Sequence, residues 1–128
     1  MAAIHTLGDA RYVNLETFRK NGTGVRTPVW AATIGGELGI YTNKDSYKVK
    51  RLRRNTKIRI APCGVRGAIK GPWHDGSARL VEDAPTQEAI LAALRKKYGW
   101  QMKLADVAAR IGNTKKNWAF IAVTPDEG

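Results

Sequence analysis

Short runs rich in β-branched and aromatic residues, separated by glycine-containing turns, recur along the first two thirds of this chain. Two of these runs are separated only by Gly35-Gly36, which is typical of a tight hairpin. Asn21-Gly22 predicts another turn, because both residues tolerate positive φ. Turns this closely spaced leave little room for long helices, so the pattern predicts antiparallel strands joined by hairpins.

The hydrophobic period separates the strands from the helices. The predicted strands are RYVNLETF, VRTPVWAATI, ELGIYT, TKIRIAPCG, WHDGSARLVED and NWAFIAVTP. Three helices are predicted. The first is short and basic, runs from Ser46 to Asn55 and turns Val49 and Leu52 inward. The second starts at Thr86 and has Ala89, Ile90, Ala93 and Leu94 on one face, and the third is MKLADVAARIG, which ends at Gly112. We therefore expect one domain over residues 1–128, mainly β (α+β), built as an antiparallel β-barrel with helices packed outside.

The net charge of +11 is concentrated in one segment. Lys44 to Arg59 contains eight basic residues and one acid, Asp45. Such a patch attracts nucleic acid, an anionic membrane surface or a phosphorylated cofactor. In nucleic-acid binding the basic residues would alternate with aromatic ones, but only Tyr47 lies within the patch, so this interpretation ranks last.

The start of the basic helix suggests which anion is bound. The first turn of a helix is electropositive and favours acids, yet Lys48 and Lys50 follow the predicted N-cap Ser46 at once. A phosphate near Thr42, Ser46 and Lys48 would meet a hydroxyl, helix N–H groups and an ammonium together. Shortly before these residues, Pro28 interrupts a strong strand, which places it at a sheet edge or a bulge, as is common beside ligand sites.

The sequence offers few side chains that could catalyse a reaction without a cofactor. His5, His74 and the single cysteine, Cys63, cannot build an ordinary zinc site, and nothing supports a Cys63–His74 nucleophile pair. The acids are scattered, and no phosphate-binding glycine loop follows a strand. An enzyme of this kind would take its reactive group from a cofactor. One cysteine, no secretory signal and no long apolar run lead us to expect a cytoplasmic protein without stable membrane insertion.

Several motifs, taken together and in order, resemble a known superfamily. They are TFRKNGTGVRTPVW, YTNKDSYKVKRLRRN, APCGVRG, GSARLVED and WAFIAVTP. The chain resembles the pyridoxamine 5'-phosphate oxidase-like superfamily, and most closely its actinobacterial branch of deazaflavin (coenzyme F420)-dependent oxidoreductases, the flavin/deazaflavin oxidoreductase B type. The resemblance implies a split β-barrel of the FMN-binding type that forms a homodimer, with the flavin or deazaflavin in a groove between subunits.

The resemblance also implies roles for particular residues. Ten residues would bind the cofactor. Arg26, Thr27, Pro28 and Val29 would lie beside the ring, and Tyr41 and Thr42 beside both ring and phosphate. Ser46 and Lys48 would bind the phosphate, and Lys50 and Arg54 would bind the part of the cofactor that extends past the phosphate. Vitamin-oxidising members have an Arg-Lys pair where this chain has Tyr47-Lys48. The basic residues after Lys48 exceed the needs of one phosphate and suit a phosphodiester with an acidic glutamyl tail.

The expected function is hydride transfer from reduced coenzyme F420 to an electron-poor, hydrophobic acceptor such as a quinone, an enone or a tetrapyrrole-like pigment. FMN is the alternative cofactor. A binding or storage protein for flavin, deazaflavin or haem is the main alternative function. Trp30, Trp73 and Trp100 would either wall a flat substrate or only pack.

Overall fold

Seven strands form one antiparallel sheet in the part of the chain that the structure, a computed structural model, describes: residues 2–43, 45–99, 101 and 118–126. The strands are β1 Tyr12–Phe18, β2 Gly24–Val29, β3 Ala32–Ile34, β4 Glu37–Asn43, β5 Lys57–Cys63, β6 His74–Val81 and β7 Trp118–Pro125. The helices are α1 Ala2–Asp9, α2 Tyr47–Arg54 and α3 Ala84–Tyr98. The order of the strands in the sheet is β2-β1-β5-β6-β7-β4-β3.

The connection between β2 and β3 explains the curvature of the sheet. These strands lie at opposite edges, yet only Trp30 and Ala31 separate them along the chain. The three Cα–Cα steps from Val29 to Ala32 span at most about 11 Å, so the two edges must lie close together. The sheet therefore curls into a barrel whose last seam is crossed by the chain itself. This confirms the predicted split antiparallel barrel.

One sequence prediction needs correction here, and one helix was missed. VRTPVWAATI is two strands rather than one, because the chain leaves one edge of the sheet after Val29 and joins the other at Ala32. Pro28 does lie on an edge strand, opposite Asn14 of β1, which is where a residue without an N–H is tolerated in a sheet. Helix α1 was not predicted, although Ile4 and Leu7 are three residues apart and both are buried in the core.

The barrel interior and the outer face of the sheet carry separate apolar cores. The interior cluster includes Leu7, Val13, Leu15, Leu38, Ile40, Leu52, Ile58, Ile60, Ile121 and Val123. The outer cluster packs α3 against the sheet through Ile90, Leu91, Leu94, Tyr98, Phe120 and Ala122. Val49 and Leu52 are buried as predicted. Ala89 is exposed, contrary to prediction, because the buried face of α3 is centred on the outer-cluster residues Ile90, Leu91 and Leu94.

Helix α3 begins two residues before the predicted start. The Asp83 carboxylate accepts a hydrogen bond from the Thr86 N–H at 2.9 Å, and Pro85 occupies the first turn, where its missing N–H is tolerated. The predicted helix MKLADVAARIG, Lys44 and Trp100 lie outside the described residues. None of the helices in the described ranges is long and apolar enough to cross a bilayer.

Candidate functional site

A groove lies at the seam of the barrel. It is lined by Thr27, Pro28, Val29, Trp30, Tyr41, Thr42 and Lys48, and its volume is about 280 Å³. These residues come from the end of β2, the crossing segment, the end of β4 and the first turn of α2. The fold thus brings together six of the ten residues proposed from the sequence to bind cofactor.

The start of α2 carries an incompletely satisfied polar group. Ser46 is the N-cap, but its side chain makes no capping hydrogen bond. Its Oγ is buried and has no hydrogen-bond partner among the described residues. A buried hydroxyl without a partner is unfavourable, so this position is suited to an oxygen-rich ligand.

Lys48 supplies the positive charge of the groove. Burial lowers the pKa of its ammonium, and the nearby Arg51 guanidinium lowers it further. No carboxylate in the described part of the chain forms a salt bridge with it. The fold therefore holds a partly desolvated cation beside an uncapped helix N-terminus, which favours an anion there.

A second pocket, of about 480 Å³, lies on another face of α2. It is lined by Arg19, Tyr47, Lys50, Arg51 and Arg54. At 100° per residue, Lys50 and Arg54 lie about 160° and 120° around the helix from Lys48, whereas Arg51 lies only about 60° away, between the two sites. The sequence-predicted residues Lys50 and Arg54 are therefore in this pocket and not in the groove.

The cations of this second pocket repel one another. Burial lowers the pKa of Arg51, and Arg19 and Arg54 lower it further. Arg51 donates a hydrogen bond to the Thr17 hydroxyl at 3.3 Å. Within the described ranges none of the four cations has a carboxylate partner, so a multivalent anion would relieve the repulsion.

Arg26, also predicted to bind cofactor, has a different environment. Its Nε donates to Glu16 Oε2 at 2.9 Å, and its guanidinium lies 4.6 Å from the centre of the Trp73 ring. Arg59 contacts the other Glu16 oxygen at 3.5 Å and lies 5.1 Å from the same ring. Glu16 is buried, which the sequence did not indicate. This cluster braces the outer face of β1, β2 and β5, and it leaves Arg26 outside the groove lining.

The histidine and cysteine side chains are not brought together. His74 pairs with Ile60 across β5 and β6, which places Cys63 three residues, or about 10 Å, further along the neighbouring strand. Cys63 is buried, and this burial raises the pKa of its thiol. A buried neutral thiol is a weak nucleophile. Among the described residues, no three His, Cys, Asp or Glu side chains form a group able to hold a metal ion.

Family membership follows from a match along almost the whole chain. The family model described as pyridoxamine 5'-phosphate oxidase matches residues 3–128. The chain belongs to the pyridoxamine 5'-phosphate oxidase family. The superfamily predicted from the sequence motifs is thereby confirmed. No curated protein matches the chain.

Solved structures share the fold of this family member at low identity. HutZ, a haem storage protein from Vibrio cholerae, has a TM-score of 0.71 and 13% identity, over 99% of this chain and 90% of HutZ. A conserved hypothetical protein from Mycobacterium tuberculosis has a TM-score of 0.74 and 17% identity, over 98% and 79% of the two chains. A structure named F420 reductase has a TM-score of 0.61 and 17% identity, over 96% and 93%. Proteins with different ligands thus share this barrel, so the fold alone does not name the ligand.

Proposed function

We propose that this family member is an oxidoreductase that binds reduced coenzyme F420 in the groove at the barrel seam. The observation that carries the proposal is the arrangement of Lys48 and the unpartnered Ser46 hydroxyl at the start of α2, beside a groove walled by Pro28, Trp30 and Tyr41. The phosphate of a cofactor would contact Lys48 and Ser46, and its planar ring would lie against Pro28, Trp30 and Tyr41.

The residues present fit such a cofactor. A phosphate at the start of α2 would accept hydrogen bonds from the Ser46 hydroxyl and the Lys48 ammonium, both of which lack an anionic partner in the described chain. The strand Thr27–Val29 and the Tyr41 side chain would contact the ring. The backbone of β2 is suited to this contact because it forms an edge of the sheet.

The second pocket favours the deazaflavin over FMN. FMN ends in a single phosphate, whereas coenzyme F420 continues through a phosphodiester into an acidic glutamyl tail. A tail that passes Tyr47 would enter the pocket of Arg19, Lys50, Arg51 and Arg54. This arrangement gives the excess positive charge of α2 a function.

The bound, reduced deazaflavin would supply a hydride from its C5 to an electron-poor double bond of a hydrophobic acceptor, such as a quinone, an enone or a tetrapyrrole-like compound. The protein orients the ring, holds the phosphate and excludes water from one face. Of the seven side chains that line the groove, only those of Tyr41 and Lys48 can titrate. None of the described residues in this lining is a carboxylic acid, a histidine or a cysteine, and Lys48 is assigned to the phosphate, so we infer that solvent supplies the proton that completes the reduction.

A homodimer would complete the site. The groove of a single chain, about 280 Å³, is at the lower limit of ligand pockets, which enclose most of a drug-sized ligand in about 300–1,000 Å³. A second copy over the seam would enclose the ring and provide the hydrophobic surface for the acceptor. We infer that this dimer acts in the cytoplasm on a small hydrophobic substrate, without nucleic acid.

The decisive experiment is a titration of the purified protein with coenzyme F420 and with FMN, followed by absorbance and fluorescence, at low and high salt. We expect F420 to bind more tightly, and salt to weaken its binding because exposed cations are screened. Steady-state assays with reduced F420 and quinone or enone acceptors should then show turnover. Tighter FMN binding would contradict the cofactor assignment. Tight F420 binding without reduction of any acceptor would identify a carrier or storage protein instead.

A further inference from the structure

The segment that crosses the barrel seam is fixed by the C-terminal turn of α3. The Ala31 N–H donates to the Tyr98 hydroxyl at 3.1 Å, and that hydroxyl donates to the Arg11 carbonyl at 2.8 Å. Both Ala31 and Tyr98 are buried. One hydroxyl thus links the crossing segment to the residue that precedes β1.

Lys97 makes a parallel link. Its Nζ donates to the Ala10 carbonyl at 2.6 Å and to the Ala31 carbonyl at 2.5 Å. A lysine in the last helical turn usually extends into solvent, where it still complements the helix dipole. Here the ammonium is half-buried and has no carboxylate partner among the described residues. Its position is therefore explained by the two carbonyls and not by the helix end.

Trp30 connects the two links made by Tyr98 and Lys97 to the groove. Its ring stacks on the Tyr98 ring with a centroid distance of 4.5 Å and an angle of 11° between planes. Trp30 also lines the groove beside Pro28 and Val29. In the seam the chain has no ladder of strand hydrogen bonds to fix it, because β2 and β3 are opposite edges of the sheet. The stacking and the two side-chain links take the place of that ladder.

We propose that Tyr98 and Lys97 are positioning residues of the groove, which act by holding Trp30 as a fixed wall for the planar part of the ligand. The role of Trp30 toward a ligand rests on the proposed function, whereas its immobilisation by α3 does not. Neither residue contacts the groove itself. Their effect on binding must therefore pass through Trp30 and the crossing segment.

The test separates the two parts of this proposal. In protein labelled with 5-fluorotryptophan, the ¹⁹F resonance of Trp30 is assigned by its loss in Trp30→Phe. Tyr98→Phe keeps the stacked ring but removes the hydroxyl, and Lys97→Met keeps the apolar stem but removes the ammonium. Both variants should shift and broaden the Trp30 resonance. Lys96→Met, an exposed neighbour on the same turn, should leave it unchanged.

Binding of coenzyme F420 and FMN is measured on the same proteins. We expect Tyr98→Phe to weaken binding about tenfold, because the buried Ala31 N–H loses its acceptor and the stacked Trp30 ring shifts. In a Trp30→Leu background the same change should have little further effect, because the two residues act as one unit. Additive losses, or a Trp30 resonance identical to wild type in both variants, would overturn the proposal. If wild type binds neither cofactor, the proposed function fails and the ¹⁹F spectra still decide the positioning role. If Tyr98→Phe does not fold, the ¹⁹F spectrum and the cofactor affinity of Lys97→Met test the proposal in its place.

Discussion

Lys48 lies half-buried in the first turn of a helix that contains no acidic residue there. If it binds a phosphate, Lys48→Ala removes a charge-assisted contact worth roughly 1.5–3 kcal/mol. The affinity for F420 and for FMN should both fall about ten- to a hundredfold. Stability without cofactor should hardly change, because burial already disfavours the charge and lowers the pKa of this lysine.

The matched control for this variant is Lys20→Ala, an exposed lysine in the turn between β1 and β2. Calorimetric titrations of both variants with both cofactors compare the two positions directly. Equal affinities for Lys48→Ala and wild type would exclude Lys48 from the phosphate site.

Lys97 and Tyr98 make stability depend on pH in opposite directions. Burial first, and then Arg11, lower the pKa of Lys97 from 10.5 to about 8, so at pH between these values the unfolded chain binds a proton that the folded chain has lost. Stability from this group should therefore rise with pH across that window. Burial raises the pKa of Tyr98 from 10.0 to about 12, so its contribution should fall as pH rises between those values.

Urea unfolding of wild type, Lys97→Met and Tyr98→Phe over this pH range isolates each group by difference. The stability of wild type relative to Lys97→Met should increase from about pH 8 to 10.5. Relative to Tyr98→Phe it should decrease from about pH 10 to 12. A difference that stays constant with pH would mean that the group titrates alike in the folded and unfolded chains.

At the scale of elements, the two faces of α2 give a test that separates the two cofactors. Lys50 and Arg54 line the second pocket, far around the helix from Lys48. If an acidic tail occupies that pocket, the double variant Lys50→Gln/Arg54→Gln should weaken F420 binding by up to about thirtyfold, since exposed charge contacts each contribute up to about 1 kcal/mol.

FMN, which lacks the tail, should bind this double variant as it binds wild type. The salt dependence of F420 binding should also become shallower, because fewer cations remain to be screened. Equal weakening of both cofactors would show that the second pocket acts on the groove indirectly and does not hold a tail.

The elements differ in how well the sequence predicts them. Strands β1, β4 and β5 follow from alternation and turn residues, and α2 follows from Val49 and Leu52 and its N-cap. The break at Trp30 and Ala31 could not be predicted, because it results from closure of the barrel and local propensity continues through it. The same holds for the exposure of Ala89, which depends on where α3 packs on the sheet.

The candidate site shows the same limit. Thr27, Pro28, Tyr41 and Lys48 were predicted together from their motifs, and the fold brings them to one groove. Lys97, Tyr98 and Glu16 carried no local signal. They acquire their surroundings from residues 10 to 87 positions away along the chain, and such contacts depend on the tertiary arrangement.

At the scale of the whole molecule, the seam and its neighbouring loop form one surface. Residues 64–73 fold over β2, and Gly67 lies close to Pro28 and accepts a hydrogen bond from Asn14 at 3.2 Å. The same loop exposes two large apolar side chains, Val65 at 64% and Ile69 at 41%. A second copy that covered the groove from this side would bury both of them.

This surface provides a test of the shared groove. We expect wild type to be a homodimer at micromolar concentration by light scattering, and more heat-stable with cofactor bound, because a ligand that binds only the folded dimer shifts the equilibrium. In a two-fold interface each residue occurs twice, and burying the exposed part of Ile69 contributes roughly 1 kcal/mol per copy, because full burial of such a side chain contributes about 1.5–3 kcal/mol. Ile69→Lys should therefore shift the protein toward monomer and weaken cofactor binding in parallel. Ala92→Lys, the same charge change at an exposed position of α3, should remain dimeric. A dimeric Ile69→Lys would place the interface elsewhere, and a monomeric wild type with full cofactor affinity would refute the shared groove.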